Sequence, residues 1–259
     1  RDLRHPALVG FVGAGTLQGL PPEVQSLPGV GPDVTEAYVL CIELCDVALE
    51  AVIKERRSTS DHFSENEIGR VLAQVAAGLA FLHERGVLHR DIKAANVFLK
   101  RRLASEGVDG AAVADAGCSP NSQAPGLFGL VAKLGDLGGA KACSRAQTPV
   151  QTPQWMSPEV ARQEPYGRPA DIWALGMLMY EMLELSAPYG EEITMPELEA
   201  KLAAGQAPEV SASARSRAPE LVCLMGRCAA AQPADRPTAA EVLASLAASG
   251  WLPEEASSR

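Results

Sequence analysis

The chain lacks the features of a nucleic-acid binder, a zinc protein or a membrane-spanning protein. Its 23 Lys and Arg residues are outnumbered by 32 Asp and Glu, and the net charge of −9 argues against a nucleic-acid partner, which needs a basic face. No two of the six cysteines form a Cys-x-x-Cys pair, so we expect no zinc site and a reducing, cytoplasmic compartment. The apolar stretch between Leu175 and Leu185 is interrupted by Glu181 and Glu184, which makes it too charged to span a bilayer.

The chain also lacks an initiator methionine and a secretory signal peptide, and it begins at Arg1 in the middle of a pattern. We therefore expect it to be part of a longer polypeptide.

Short apolar runs rich in β-forming residues predict buried strands at 8–12 and 37–44, joined by a Gly- and Pro-rich loop over 13–35. Further short extended pieces are predicted at 87–89, 96–99 and 131–134. The pattern after residue 44 is mainly helical. A few strands followed by a run of helices predicts an α+β fold with a helical lobe.

Helix-start signals are clear at several points. Ser64 and Glu67 form a capping box, apolar residues then recur at helical spacing, and the helix is predicted to end near Gly86. Later helices are predicted to begin near Ala170, Pro196, Pro219 and Pro237. Residues 101–129 are rich in Ala, Gly, Ser and Pro without periodicity, so we interpret them as a flexible surface insertion.

Five short motifs follow one another from residue 89 onward. They are HRDIKAAN at 89–96, DLG at 136–138, TPQWMSPE at 152–159, DIWALG at 171–176 and DRPT at 235–238. In this order and spacing they resemble the eukaryotic protein kinase catalytic domain, from the end of its small lobe through its whole large lobe. The resemblance implies a two-lobe fold, in which 1–45 are the last two strands and hinge of the small lobe and 46–259 form the helical lobe.

The resemblance implies roles for four side chains in phosphoryl transfer from ATP. Asp91 matches the catalytic carboxylate that orients the acceptor hydroxyl and takes its proton, and Lys93 is placed to reach the transferring phosphoryl group. Asn96 and Asp136 match the two magnesium ligands, and both offer the hard oxygen donors that Mg²⁺ prefers.

A second group of residues resembles the nucleotide-binding hinge. Ile42 takes the gatekeeper place beside the adenine, and the backbone of Glu43 and Cys45 would hydrogen-bond the adenine edge. Phe98 would lie under the adenine ring. Nothing in the sequence marks Cys45 as a reactive thiol.

The family pattern also implies structural roles. His89 would pack on Leu137, which replaces the usual Phe of the metal-binding triplet. Glu159 and Arg236 match a buried ion pair that ties the activation segment to the large lobe, and Asp171 would anchor the backbone of the catalytic loop.

Two residues indicate Ser/Thr specificity, and two more suggest regulation. Lys93 is typical of Ser/Thr kinases, and Thr152 matches the threonine that contacts the catalytic Asp and Lys. Arg90 matches an arginine that often pairs with a phosphate on the activation segment. Thr148, in the middle of that segment, is the predicted phosphorylation switch, with an ordinary loop threonine as the alternative.

The sequence leaves subgroup and activity open. LGDLGGAK and DIWALG resemble the NIMA-related kinases, whereas the insertion resembles the tyrosine-kinase-like group. The Gly-rich phosphate loop, the strand lysine and the helix glutamate of a complete kinase are not found, and Lys54 falls after the hinge. Two hypotheses follow: an active kinase of protein Ser/Thr hydroxyls whose small-lobe elements lie upstream, or a kinase-like scaffold module. A small-molecule phosphotransferase is a third, more remote alternative.

Overall fold

The helical part of the chain surrounds one long buried helix, and a β-hairpin stands at its N-terminal side. In this computed structural model the described residues are 3–19, 36–101, 127, 129–137, 141–142 and 152–251. The predicted insertion at 101–129 therefore lies outside the described residues, except for Arg101, Leu127 and Gly129.

The strands form three small antiparallel sheets, with the pairings β1–β2, β3–β5–β6 and β4–β7. Within the described residues the strands are β1 Phe11–Gln18, β2 Glu36–Ile42, β3 Val47–Ala48, β4 Val87–Leu88, β5 Val97–Arg101, β6 Leu130–Leu134 and β7 Lys141–Ala142. The second sheet is important for the site because β6 leads directly into Gly135 and Asp136.

The helices follow the hairpin. They are α1 Leu49–Thr59, α2 Glu65–Glu84, α3 Pro158–Ala161, α4 Arg168–Glu184, α5 Met195–Ala203, α6 Ala212–Arg217, α7 Pro219–Cys228 and α8 Ala239–Ala248. Single 3₁₀ turns lie at Ala94–Asn96, Pro153–Trp155 and Pro233–Asp235. None of the helices in the described ranges is both long and apolar enough to cross a lipid bilayer.

Helix α4 is the centre of the helical part of the chain. It is buried from Ala170 to Leu183, and its apolar side chains pack into a core to which α2, α7 and α8 also contribute. A helix that is apolar on all sides is expected inside a globular domain, where it contacts neighbours in every direction. Two carboxylates on this buried helix, Asp171 and Glu181, are therefore exceptions that need partners.

Most of the predicted elements are confirmed, but the strands predicted as buried at 8–12 and 37–44 are largely exposed. Strand β1 begins only at Phe11, and because β1 and β2 form a two-stranded sheet by themselves, Phe11, Val12, Tyr38 and Leu40 are 63%, 72%, 92% and 66% exposed. Ser64 and Glu67 form the capping box of α2, which ends two residues before Gly86. Helices begin within two residues of the other predicted starts, and the short strands at 87–88, 97–101 and 130–134 are present.

Two further predictions about the first 60 residues were wrong or incomplete. The loop predicted from residue 13 begins later, because β1 continues to Gln18 in register with β2 as far as Glu36. Helix α1 was not predicted individually, because its N-cap residue Ala48 has no side-chain hydrogen bond that would mark a helix start. Cross-strand pairing in the first case and tertiary packing in the second override the local sequence signal.

Candidate active site

The segment 89–96, which the resemblance identifies as the catalytic loop, is fastened to the first turn of α4. Asp171 Oδ2 accepts the backbone N–H of His89 at 2.9 Å and lies 2.8 Å from His83 Nε2, while its Oδ1 accepts the N–H of Arg90 at 2.8 Å. Asp171 is 1 % exposed, and these three partners satisfy a carboxylate that would otherwise be costly to bury. The anchoring contact implied by the resemblance is therefore present.

The side chains of Lys93 and Thr152 meet around Asp91. Lys93 Nζ lies 2.9 Å from Asp91 Oδ2 and donates a hydrogen bond of 2.6 Å to Thr152 Oγ1. The Thr152 hydroxyl in turn donates to Asp91 Oδ1 at 3.1 Å. Residues about sixty positions apart in sequence thus form a closed polar triangle, which is the contact that the resemblance implied for Thr152.

The triangle keeps Asp91 ionised. Burial by itself would raise the pKa of this carboxyl, but the hydrogen bond and positive charge of Lys93 and the hydrogen bonds from Asn96 and Thr152 outweigh it, so the pKa is lowered. An ionised Asp91 can accept a hydrogen bond from an incoming hydroxyl group at neutral pH.

Asn96 lies beside this triangle and links it to the next site segment. Its amide nitrogen donates to Asp91 Oδ2 at 2.7 Å and to the Asp91 carbonyl oxygen at 2.8 Å. The Asn96 carbonyl oxygen accepts the N–H of Gly135 at 2.9 Å. Asp136 follows, with an exposed side chain and a left-handed backbone at φ 54°. The structure therefore brings the segments of both predicted magnesium ligands together.

His89 is buried between Asp91 and Gly135. Its Nε2 bonds to the Gly135 carbonyl oxygen at 2.9 Å, and its Nδ1 accepts the N–H of Asp91 at 3.3 Å. Burial lowers the pKa of His89, which agrees with a neutral ring that donates from Nε2 and accepts at Nδ1. Leu137 is half-buried against the main core.

Arg90 stands out because its guanidinium is buried. The residue is 3 % exposed and adopts a left-handed backbone at φ 74°. Within the residues that the structure describes, its Nε and Nη1 atoms have no hydrogen-bond partner. Thr148, the predicted phosphorylation switch, lies outside the described residues.

Glu159 and Arg236 form a bidentate ion pair. Arg236 Nη1 and Nη2 each lie 2.8 Å from one oxygen of Glu159, and both side chains are almost completely buried. Arg236 also donates to the carbonyl oxygens of Ala230 and Pro169 at 2.8 Å. The pair therefore joins the start of α3 to the first turn of α4 and to the segment between α7 and α8, and this agrees with the buried ion pair that the resemblance implied.

In the predicted hinge, Glu43 forms both hydrogen bonds and ion pairs with neighbouring segments. Its N–H donates to the Gly10 carbonyl oxygen at 2.7 Å, and its side chain accepts the Gly10 N–H at 2.9 Å. Lys100 and Lys133 lie 2.6 and 3.0 Å from its carboxylate oxygens. Burial alone would raise the pKa of Glu43, but these hydrogen bonds and charges lower it to about 2. Glu43 thus ties the hairpin to both strands β5 and β6.

The other three predicted nucleotide-binding residues lie on or next to strands β2, β3 and β5. Ile42 ends β2 and is 51 % exposed, and Cys45 is a half-buried free cysteine whose pKa is raised by burial. Phe98, on β5, packs its ring against Gly135, where an added Cβ would lie 2.6 Å from the ring. Lys54 is exposed and lies on helix α1, not on a strand.

Glu181 is a site residue that sequence reasoning missed. In the sequence it served only as a charge that interrupts an apolar stretch. In the structure its Oε2 accepts the N–H of Ala94, inside the catalytic loop, at 3.1 Å and the indole N–H of Trp155 at 2.7 Å. A charged residue inside an otherwise apolar helix was the available signal, because such a residue needs a buried partner.

Comparisons with known proteins agree with this geometry. A family model described as "Protein kinase domain" matches residues 3–246. The chain is 30% identical over 212 residues to "Serine/threonine-protein kinase Nek5" of Mus musculus, which covers 79% of the chain and 28% of that protein. It is 33% identical over 206 residues to "Serine/threonine-protein kinase hippo" of Drosophila melanogaster, covering 79% of the chain and 26% of that protein.

A third relative is "Serine/threonine-protein kinase STE20" of Saccharomyces cerevisiae, 28% identical over 240 residues that cover 93% of the chain and 21% of that protein. The chain thus spans about a quarter of the length of these curated relatives. All three are named as serine/threonine-protein kinases, and the family model covers most of the chain. This chain belongs to the protein kinase domain family.

Proposed function

We propose that the protein is an ATP-dependent protein serine/threonine kinase, which transfers the γ-phosphoryl group of Mg-ATP to protein Ser/Thr hydroxyls. The observation that carries this proposal is the closed triangle of Asp91, Lys93 and Thr152. It places an ionised carboxylate beside a lysine ammonium, which are the two groups that in-line phosphoryl transfer requires around an acceptor hydroxyl.

Each member of the triangle has a distinct part in this proposal. Asp91 accepts the hydrogen bond of the acceptor hydroxyl and takes its proton. Lys93, already held by Asp91 and Thr152, offers its positive charge to the phosphoryl group during transfer. Thr152 fixes the Lys93 ammonium and is itself oriented by Asp91, so the substrate hydroxyl meets a prearranged site.

Magnesium fits the residues present. Asn96 offers an amide oxygen once its nitrogen is committed to Asp91, and Asp136 offers an exposed carboxylate, so the donor set is one of hard oxygens. When bound, Mg²⁺ would neutralise phosphate charge. The two residues are held near each other by the bond between Gly135 and the Asn96 carbonyl group.

The hinge residues would hold the adenine. Because the N–H of Glu43 is committed to Gly10, we assign the adenine contacts to the Glu43 carbonyl group and to the backbone of Cys45. Ile42 would stand beside the ring as gatekeeper, and Phe98 beneath it.

We further propose that a longer polypeptide supplies the glycine-rich loop and strand lysine, and that the protein acts in the cytoplasm.

We also propose control by phosphorylation of the activation segment. The buried guanidinium of Arg90, with two nitrogens lacking partners among the described residues, suits a phosphate group, which would accept bonds from both. Thr148 is the proposed acceptor. If Thr148→Ala leaves both phosphate content and activity unchanged, this assignment is wrong.

The test of the main proposal is phosphoryl transfer from ATP to a Ser/Thr peptide mixture. Asp91→Asn should lower the rate by roughly 10²- to 10⁴-fold, the usual contribution of a positioned acid or base. Asp136→Ala should abolish the magnesium dependence of nucleotide binding. Asp235→Asn is the matched control, since Asp235 is an exposed acid in the 3₁₀ turn before α8. Wild-type turnover in Asp91→Asn would contradict the assignment.

A kinase-like scaffold is the second candidate. It is favoured by the hairpin β1–β2, where Phe11, Tyr38 and Leu40 are 63%, 92% and 66% exposed, because exposed apolar patches often bind other proteins. The same assay separates the two candidates. A scaffold would show no transfer that depends on Asp91, even in a polypeptide that includes a glycine-rich loop and its lysine.

A further inference from the structure

Helix α4 holds the catalytic loop at two points. Near its start, Asp171 accepts the N–H groups of His89 and Arg90. About three helical turns later, Glu181 accepts the N–H of Ala94, the residue directly after Lys93. Because both carboxylates lie on one rigid buried helix, the loop between its two anchors is held on both sides of Asp91.

The same oxygen of Glu181 reaches a second segment. Oε2 also accepts the indole N–H of Trp155 at 2.7 Å, and Trp155 closes the 3₁₀ turn that begins directly after Thr152. Trp155 is partly buried and packs against the cluster that contains Trp173. One carboxylate therefore joins the two segments whose side chains, Lys93 and Thr152, meet again around Asp91.

We propose that Glu181 is a positioning residue that holds Ala94 and Trp155 together and thereby sets Lys93 and Thr152 around Asp91. It has no assigned contact with ATP or the acceptor hydroxyl. Its catalytic consequence rests on the proposed kinase function, whereas the bridge itself is a property of the folded chain.

The charge of the Glu181 carboxylate is expected to change with pH near neutrality. Burial, and to a lesser extent the charge of Glu50 on α1, raises the pKa of Glu181, while the hydrogen bonds from Trp155 and the Ala94 N–H and the charge of Lys93 lower it; the balance is a pKa of about 7. Both hydrogen bonds fall on Oε2, so a proton on Oε1 leaves both acceptor contacts in place. Since bonds to a charged acceptor are stronger, the bridge should tighten as the pH rises through 7.

The test of the bridge follows the indole N–H signals of the whole chain by ¹H–¹⁵N NMR across pH 5.5 to 8.5. Trp155→Phe identifies the Trp155 signal. We expect that signal to move with a midpoint near pH 7 in the wild type and to be constant in Glu181→Gln, which keeps an acceptor oxygen but cannot titrate. Trp251, whose indole bonds to Asn66 Oδ1 at 3.1 Å, serves as internal reference and reports folding of each variant.

A Trp155 signal that is the same in the wild type, Glu181→Gln and Glu181→Leu at every pH would overturn the proposal.

Kinetics then separate positioning from a merely structural role. Glu181→Leu should lower kcat about tenfold with little change in the KM for ATP, because misplaced catalytic groups slow the chemical step. Glu181→Gln should recover most of that loss, and Glu199→Gln, on the exposed face of α5, is the control.

Two other outcomes are informative. A raised KM for the peptide with unchanged kcat would mean that Glu181 contacts the substrate, and this would overturn the positioning role. A wild-type polypeptide that includes the upstream glycine-rich loop and strand lysine but shows no transfer would contradict the proposed function, while the indole signals would still decide whether Glu181 forms the bridge.

Discussion

Helix α4 buries its apolar side chains, whereas the hairpin β1–β2 exposes large apolar side chains to solvent. In α4, 14 of the 17 residues are buried, and its two buried carboxylates have hydrogen-bond partners in the catalytic loop. In β2 six of the seven residues are exposed, and among them are large apolar side chains. The phosphoryl-transfer half of the site is thus built from interactions within the described chain. The hinge half presents an apolar surface that the described residues do not cover.

The contrast predicts that substitutions around α4 have large effects and that those in the hairpin have small ones. The largest change in stability is expected for Glu159→Gln, which leaves the buried Arg236 without its charge partner. We expect a loss of about 3–5 kcal/mol in the free energy of unfolding. Chemical denaturation measures it. Glu164→Gln breaks an exposed pair with Arg162 and should have a far smaller effect, because solvent screens exposed ion pairs. Equal losses would contradict the contrast.

Glu181 should make stability depend on pH. Its pKa is raised from 4.5 to about 7 on folding, so the folded state keeps a proton that the unfolded state has already released. The stabilisation is complete below pH 4.5 and is lost as the pH rises through 7, a difference of about 3 kcal/mol. Unfolding of the wild type and Glu181→Gln at pH 4.5, 6 and 8 measures it. The difference in the free energy of unfolding between the two proteins should change between pH 4.5 and pH 8. A constant difference between them would show that Glu181 does not titrate there.

A smaller effect is expected at Ser157, directly before the Pro158 that begins α3. Its hydroxyl is buried and has no hydrogen-bond partner among the described residues. Ser157→Ala removes this unsatisfied group and should stabilise the fold by about 1 kcal/mol, seen as a raised Tm.

Ser211→Ala provides the control of opposite sign. The Ser211 hydroxyl caps α6 by accepting the N–H of Ala214 at 3.1 Å, so its removal should cost about 0.5–2 kcal/mol. A destabilised Ser157→Ala would show that the Ser157 hydroxyl has a partner after all.

The smallest effect is expected in the hairpin. Leu40 on β2 is 66% exposed, so Leu40→Thr should change the free energy of unfolding by no more than about 0.5 kcal/mol. It should also reduce the binding of a hydrophobic dye, because one large apolar side chain is removed from the surface. A loss of several kcal/mol would mean that Leu40 is covered in solution.

Sequence reasoning found most elements with local signals. The capping boxes of α2 and α8 are visible as Ser64 with Glu67 and Thr238 with Glu241, and both helices begin there. Helix α1 has no such cap, and its boundaries depend on packing of Leu49, Val52 and Ile53 into the core. Strand β1 contains glycines that favour a loop, and only its pairing with β2 makes it extended.

The site shows the same difference between contacts within one motif, which could be predicted, and contacts between distant segments, which could not. Asp91, Lys93 and Asn96 lie in one motif, so their proximity could be predicted from their spacing and the family resemblance. The bridge of Glu181 could not, because it depends on how α4 packs beneath two segments that are distant in sequence. The partners of Glu43 on β5 and β6 were missed for the same reason.

The most direct test of the proposed kinase activity compares acceptor hydroxyls. Three peptides identical except for a single Ser, Thr or Tyr are incubated with the protein and labelled ATP, with Asp91→Asn in parallel. The account predicts label on the Ser and Thr peptides, little or none on the Tyr peptide, and loss of the label in Asp91→Asn. Equal labelling of Tyr, or labelling that survives Asp91→Asn, would contradict it.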